Sequence, residues 1–142
     1  MTAMDISCHS FIRLAKAAEP LMHKGGSLIT MSYYGAEKVV KNYNLMGPVK
    51  AALETTVRYL AMELGSKKIR VNSISPGPIN THAASGLADF DQLMKKAADE
   101  APLNQLVTID AIGDMTAFLV SAKAQYITGQ IIYVDGGYNI RG

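Results

Sequence analysis

Three side chains in one short stretch of the chain could carry proton chemistry: Tyr33, Tyr43 and Lys50. A tyrosine hydroxyl is a weak acid, and a lysine is a cation at neutral pH. A nearby ammonium favours the phenolate, so it makes the phenol a better proton donor to an oxygen that gains negative charge. On a continuous helix the spacing of Tyr43 and Lys50 puts both on one face, about 10 Å apart along the axis. A small ring system would fit between them.

Spacing alone leaves a plainer interpretation of this stretch open. Tyrosine and lysine are common at helical spacing, so both residues could be ordinary surface or half-buried positions of a helix. Pro48 belongs in a first helical turn, where its missing N–H does no harm. We therefore expect Tyr43 to lie just ahead of the helix.

A second candidate segment is Pro76-Gly77-Pro78-Ile79-Asn80-Thr81. It is either a rigid turn or a loop whose backbone groups and Thr81 hydroxyl hydrogen-bond a flat ligand. The histidines form no metal-ligand spacing with Cys8 or with carboxylates, so no metal site is predicted. Cys8 itself is expected to be an inert core residue.

The elements that must position these residues alternate between helix and strand. Apolar spacing predicts helices over 5–22, 48–64 and 108–122, strands over 27–32, 69–75 and 131–134, and one or two short helices within 79–101. Such alternation implies parallel strands joined by right-handed crossovers, with helices on both faces of the sheet. Function in such folds lies beyond the carboxyl ends of the strands.

Several residues are expected to set the limits and faces of these elements. In the strand 69–75, Ile69, Val71 and Ser73 should point one way and Arg70, Asn72 and Ile74 the other. Pro20 should end the first helix or distort its last turn, Gly65 should end the second, and Thr108 looks like an N-cap. In the helix that Thr108 begins, the residues expected to face inward are Ile112, Met115, Phe118 and Leu119.

Composition limits the classes of protein to consider. The chain has 142 residues, 49% of them apolar, with a formal net charge of +2. That suits one compact domain and predicts no electrostatic attachment to nucleic acid or to a membrane surface. No apolar run approaches the roughly 20 residues of a membrane span. A single cysteine fits a reducing compartment, so we expect a cytoplasmic protein.

The motifs taken together resemble one family. Arg70-Val71-Asn72-Ser73-Ile74-Ser75-Pro76-Gly77, then Thr81, then Tyr133-Val134-Asp135-Gly136-Gly137 look like the C-terminal half of a short-chain dehydrogenase/reductase. Most such enzymes have three residues between the tyrosine and the lysine. The wider spacing of Tyr43 and Lys50, with the earlier Tyr33, resembles the NADH-dependent enoyl-acyl-carrier-protein reductases of bacterial fatty-acid synthesis. Ala83-Ala84-Ser85-Gly86 matches the substrate-flap region of that family.

The resemblance implies a fold, a reaction and a role for each site residue. The fold would be α/β, the C-terminal half of a Rossmann-like doubly wound parallel sheet with three strands. A hydride would pass from NADH to a trans-2-enoyl thioester carried by acyl carrier protein, with Tyr43, Tyr33 and Lys50 as the catalytic residues. Contacts to NADH would come from Lys50, Ile79, Asn80, Thr81, His82 and Ala83. Contacts to the acyl chain would come from Tyr33, Met46, Ala84, Phe90 and Leu93.

The resemblance also leaves alternatives about the whole protein. Residues 1–142 would form one partial domain that carries the catalytic, substrate-flap and oligomerisation elements, without the N-terminal dinucleotide-binding half. We therefore expect the chain alone to have little affinity for NADH. The helix 48–64 and the strand 131–135 would make the subunit contacts of a homotetramer. The other interpretations are a carbonyl reductase of the same superfamily and an inactive fragment that acts only through subunit contacts.

Overall fold

A computed structural model describes residues 2–79 and 90–141, in which three parallel strands carry helices on both faces of the sheet. The strands lie in the order β1 (Gly26–Met31), β2 (Ile69–Pro76) and β3 (Ile131–Val134). The predicted fold class is confirmed: this is a Rossmann-like α/β arrangement whose three strands are neighbours in one sheet. All three strands therefore end at the same edge.

The central strand, β2, separates two apolar cores. It pairs with β1 from Gly26 opposite Ile69 to Met31 opposite Ile74, and with β3 from Ser73 opposite Ile131. Ile69 and Val71 belong to the core beneath the long helix, whereas Ile74 belongs to the core on the opposite face. The predicted alternation of side chains along this strand is therefore confirmed. A strand covered on both faces is typical of parallel sheets.

The N-terminal helical run extends from residue 2 to residue 21. It consists of α1 (Thr2–Met4), a π-helical stretch (Asp5–His9), α2 (Ser10–Ala18) and a 3-10 turn (Glu19–Leu21). Pro20 lies in that 3-10 turn, so the predicted end of the helix is confirmed. Cys8, Phe11 and Ala15 are buried, but Ile12, which shares their apolar pattern, is 39% exposed.

The long helix α3 (Met46–Leu64) packs its apolar face on β2. Its buried apolar residues are Val49, Leu53, Val57, Ala61 and Leu64. The helix ends before Gly65 as predicted, but Gly65 keeps right-handed backbone angles. The chain reverses three residues later, where Lys68 takes the left-handed conformation with φ +56°.

Helices α4 (Phe90–Glu100) and α5 (Ile109–Val120) complete the structure; the side chains of Phe90, Asp91 and Leu93 lie outside the description. Thr108 caps α5 as predicted, because its hydroxyl accepts a hydrogen bond from the Ala111 N–H at 3.1 Å. Ile112 and Leu119 are buried, but Phe118 is 38% exposed, so its predicted inward position is wrong. At 100° per residue Phe118 lies roughly 120° around the helix axis from Ile112. Among the described helices, none combines the length and the apolar character that a membrane crossing requires.

Candidate active site

The candidate site lies where the chain leaves the carboxyl end of β1. Ser32 still follows the strand, since its N–H donates to the Ile74 carbonyl at 2.8 Å. Tyr33 is extended, with φ −158° and ψ 146°, and a 3-10 turn follows over Tyr34–Ala36. The strand thus delivers Tyr33 to the edge of the sheet at which parallel α/β folds bind ligands.

Four tyrosine rings at this edge form a chain of contacts, each ring packing against the next. The ring of Tyr33 lies 5.1 Å from that of Tyr43 and 4.9 Å from that of Tyr34, and Tyr34 lies 5.2 Å from Tyr138. Each contact is edge-to-face, which is a favourable geometry for aromatic pairs. The Arg141 guanidinium lies 4.1 Å from the centre of the Tyr138 ring. The ring contacts join the end of β1 to the segment that follows β3.

Tyr43 lies in a tight turn ahead of α3, as expected from Pro48. The Tyr43 N–H donates to the Val40 carbonyl at 3.1 Å, and the Tyr43 carbonyl accepts from the Met46 N–H at 2.9 Å. The residues on either side, Asn42 and Asn44, have φ values of +65° and +43°. Asparagine tolerates this left-handed conformation better than most residues. The two asparagines therefore allow the turn that places Tyr43 beside Tyr33.

Gly35 provides the space that the Tyr43 ring occupies. A Cβ added at Gly35 would lie 2.7 Å from Cδ1 of Tyr43 and 3.3 Å from Cδ1 of Tyr33. Contacts below 3.0 Å require one partner to move. The missing side chain at Gly35 is thus a condition for the observed packing of Tyr43.

Lys50 lies on the first turns of α3 and reaches the same end of β1. Its amine donates a hydrogen bond to the Met31 carbonyl at 2.7 Å. Burial lowers the pKa of Lys50 from its ordinary value, and the neighbouring Glu54 carboxylate partly opposes that effect. An ammonium has three N–H donors, so within the described part of the chain the bond to Met31 leaves two for a ligand.

The expected lowering of the Tyr43 pKa by Lys50 is not found. Burial raises the pKa of Tyr43 above its ordinary value. The pKa of Tyr33 is raised further, first by burial and then by the neighbouring Tyr34. Burial disfavours the charged phenolate, and it is the first cause of both shifts. Both phenols stay protonated at neutral pH and can donate a hydrogen bond.

Some of the other predicted site residues lie within the described part of the chain, and the rest lie outside it. Met46 is half-buried against the core of α3 and β2, and Ile79 is half-buried against the core on the opposite face. Phe90 and Leu93 lie on α4. The predicted residues that lie outside the described ranges are Asn80, Thr81, His82, Ala83 and Ala84.

Two contributors to the site were missed by sequence reasoning. Gly35 gave no signal beyond its type, because its role depends on the ring that folds over it. Glu54 had a signal, since it lies four positions after Lys50 and therefore on the same face of α3. Glu54 is 2% exposed, and its carboxylate accepts a hydrogen bond from the Ser32 hydroxyl at 2.5 Å.

The donors at this edge fit a cofactor with a flat ring and a sugar. The Lys50 ammonium has N–H groups to offer and is held by the carbonyl of Met31, two residues before Tyr33, whose ring packs against that of Tyr43. The Ser75 hydroxyl, near the end of β2, is buried without a hydrogen-bond partner among the described residues. A buried orphan of this kind is commonly satisfied by a ligand or an ordered water. Within 2–79 and 90–141 no group of acidic, cysteine and histidine side chains could hold a metal ion.

A parallel sheet with helices on both faces and candidate residues beyond a strand end places the chain in the Rossmann-like α/β class. The family model described as "Enoyl-(Acyl carrier protein) reductase" matches residues 1–139. The chain therefore belongs to the enoyl-acyl-carrier-protein reductase family, and the resemblance stated from the motifs is confirmed.

Individual relatives agree with this assignment. The chain is 50% identical over 140 residues to the NADH-dependent enoyl-acyl-carrier-protein reductase FabI of Rickettsia prowazekii and 54% identical to that of Synechocystis. Each match covers 99% of this chain and 54% of the relative. The reductase of Anaplasma phagocytophilum, solved in complex with NAD, is 49% identical with a TM-score of 0.94, over 99% of this chain and 54% of that one. The chain thus spans about half the length of the curated relatives it matches.

Proposed function

We propose that this chain supplies the catalytic part of an NADH-dependent enoyl-acyl-carrier-protein reductase. The reaction is reduction of the carbon–carbon double bond of a trans-2-enoyl thioester during fatty-acid elongation. One observation carries the proposal: Tyr43 is held in protonated form against Tyr33, at the strand end that also anchors Lys50. The family assignment favours this reaction over reduction of a simple carbonyl group.

Tyr43 acts as the hydrogen-bond donor to the substrate. NADH, when bound, supplies the hydride that reaches the β-carbon of the enoyl group. Negative charge then develops on the thioester oxygen, and the Tyr43 hydroxyl stabilises it. A preorganised donor at such an oxygen is commonly worth about 3–4 kcal/mol of barrier. The raised pKa of Tyr43 suits this role, because the proton stays on the phenol until the oxygen needs it.

Lys50 and Tyr33 hold the reacting groups on either side of Tyr43. The Lys50 ammonium is oriented by the Met31 carbonyl and presents its other N–H groups to the nicotinamide ribose. Tyr33 borders the acyl chain with its half-buried ring and can assist proton delivery. The remaining contacts to NADH are assigned to Ile79, Asn80, Thr81, His82 and Ala83. Those to the acyl chain are assigned to Met46, Ala84, Phe90 and Leu93.

The proposal extends to the assembly and its location. The enzyme would be a cytoplasmic homotetramer that receives its substrate from acyl carrier protein. Two large apolar side chains on the outer face of α3 support a subunit contact there, since Tyr59 is 69% exposed and Met62 86% exposed. Exposed apolar side chains grouped on one face are typical of interaction surfaces.

A chimeric enzyme tests the proposal directly. This chain would replace the matched segment of the Rickettsia prowazekii reductase, whose remaining sequence supplies the rest of the fold. We expect the chimera to oxidise NADH with crotonyl thioester and to be far slower with simple ketones. A folded chimera that reduces ketones and not the thioester would contradict the proposal, and so would one that reduces neither.

A further inference from the structure

Two neighbouring residues at the end of β1 each form a hydrogen bond with one residue of α3. The Met31 carbonyl accepts from the Lys50 amine at 2.7 Å, and the Ser32 hydroxyl donates to the Glu54 carboxylate at 2.5 Å. Lys50 and Glu54 lie one helical turn apart on the same face. The strand end and the helix are thus joined at two adjacent points, of which the proposed function uses only the first.

Glu54 is an unusual residue for this location. It is 2% exposed, and its closest cationic contact is Arg58, whose Nη2 lies 4.0 Å from its second oxygen. Burial raises the pKa of Glu54, although Ser32, Arg58 and Lys50 act against that effect. Burying a carboxylate with such partial compensation costs stability. Stability therefore gives little reason for a carboxylate rather than an amide here.

The charges around the pair are few and come from three elements. Glu54 is influenced by Lys50 and Arg58 on its own helix and by Glu37, which follows the 3-10 turn after β1. Tyr133 on β3 is influenced by both Glu37 and Glu54, and burial keeps its pKa above the ordinary value. Among the charged groups of residues 2–79 and 90–141, Glu54 is the one that acts on Lys50.

We propose that Glu54 is a positioning residue of this site. By binding the Ser32 hydroxyl and placing its charge one helical turn from Lys50, it fixes where that ammonium and the adjoining Tyr33 are held. The kinetic part of this inference rests on the proposed function, whereas its electrostatic part does not.

The electrostatic part is tested in the 142-residue chain by the substitution Glu54→Gln. Glutamine keeps the shape and a hydrogen-bonding oxygen for Ser32 but removes the charge. We expect the pKa of Lys50 to shift downward, measured from the side-chain nitrogen or ε-carbon resonance of Lys50 during a pH titration. Glu63→Gln is the matched control, because it makes the same change at an exposed position of the same helix. A Lys50 pKa that Glu54→Gln leaves unchanged overturns the inference.

The kinetic part is tested in the chimeric enzyme with two variants, so that one failure to fold does not decide the outcome. Glu54→Gln and Ser32→Ala should each lower kcat/KM for NADH by roughly tenfold or more, since small misplacements of a catalytic group have effects of that size. Ser32→Thr, which keeps the hydroxyl, should restore most of the activity lost in Ser32→Ala. In Glu54→Gln the alkaline limb of the pH profile should also move to lower pH, because Lys50 then loses its proton earlier.

The results separate this inference from the proposed function. If the chimera is inactive, the proposed function fails, while the Lys50 titration still decides the role of Glu54. If the chimera is active and both variants match Glu63→Gln in kcat/KM and in pH profile, the proposed function stands and the positioning role is wrong.

Discussion

At the scale of the residue, burial sets the direction in which the pKa of Tyr43 departs from its ordinary value. The phenol is a hydrogen-bond donor whose proton is held firmly. We expect Tyr43→Phe to lower turnover of the chimera by about 10²- to 10³-fold, the usual effect of removing one donor to a developing oxyanion. NADH affinity should barely change, because the hydroxyl acts on the substrate oxygen. Steady-state kinetics and NADH titration measure both quantities.

Tyr126→Phe is the matched control for that variant. The Tyr126 side chain is 92% exposed, so loss of its hydroxyl should leave turnover unchanged. If Tyr43→Phe kept full turnover, Tyr43 would have no part in the chemistry.

Glu54 gives a second prediction at this scale, for the stability of the chain against pH. Its folded-state pKa is raised, so its contribution to the free energy of unfolding is present below the unfolded pKa. That contribution is lost as the pH rises through the folded pKa. Glu54→Gln should therefore resemble the parent near pH 4 and become the more stable protein near about pH 8. Thermal unfolding at several pH values measures the difference, and a gap that narrows toward alkaline pH would contradict it.

At the scale of the element, the turn after β1 and the turn before α3 form one packed unit through Gly35. Gly35→Ala would place a methyl group 2.7 Å from the Tyr43 ring. The ring must move, so we expect a loss of turnover of roughly 10- to 100-fold, as for other small misplacements of catalytic groups.

Gly113→Ala provides the contrast, because an added Cβ meets nothing within 4 Å at that position of α5. It should leave turnover unchanged and stabilise the helix by about 1 kcal/mol. Activity assays and thermal unfolding of both variants make the comparison. Full activity in Gly35→Ala would show that the position of the Tyr43 ring is not critical.

Particular residues show how much of the structure could be predicted from the sequence. Local rules were enough for the Thr108 cap, the interruption at Pro20 and the placement of Tyr43 ahead of α3, since each depends on residues a few positions away. The contact between Tyr34 and Tyr138 joins distant parts of the chain, so no local pattern contains it. The direction of the Tyr43 pKa was also out of reach, because it depends on how much water the folded chain removes from the phenol.

At the scale of the whole molecule, the parallel sheet explains why the candidate residues come together at all. The shared strand direction brings the ends of β1, β2 and β3 to one edge. The two faces of helix α3 then differ in what they can contact. Helix α3 sends Lys50 and Glu54 to this edge, while its outer face carries Tyr59 and Met62 toward solvent. One helix thus combines a candidate catalytic face with a candidate subunit contact.

Because the outer face of α3 is the candidate subunit contact, we predict that a charged substitution on this face disrupts the assembly. Met62→Glu would bury a carboxylate wherever this face meets another subunit, and the effective penalty for such burial is several kcal/mol per ion. We expect the chimeric enzyme carrying it to elute as smaller species, with its association weakened by about 100-fold or more, as measured by size-exclusion chromatography with light scattering. Val39→Glu is the matched control, since Val39 is fully exposed and is not part of α3. A tetramer that survives Met62→Glu would place the subunit contact elsewhere. A smaller assembly in Met62→Glu, with the tetramer kept in Val39→Glu, would assign the contact to this helix.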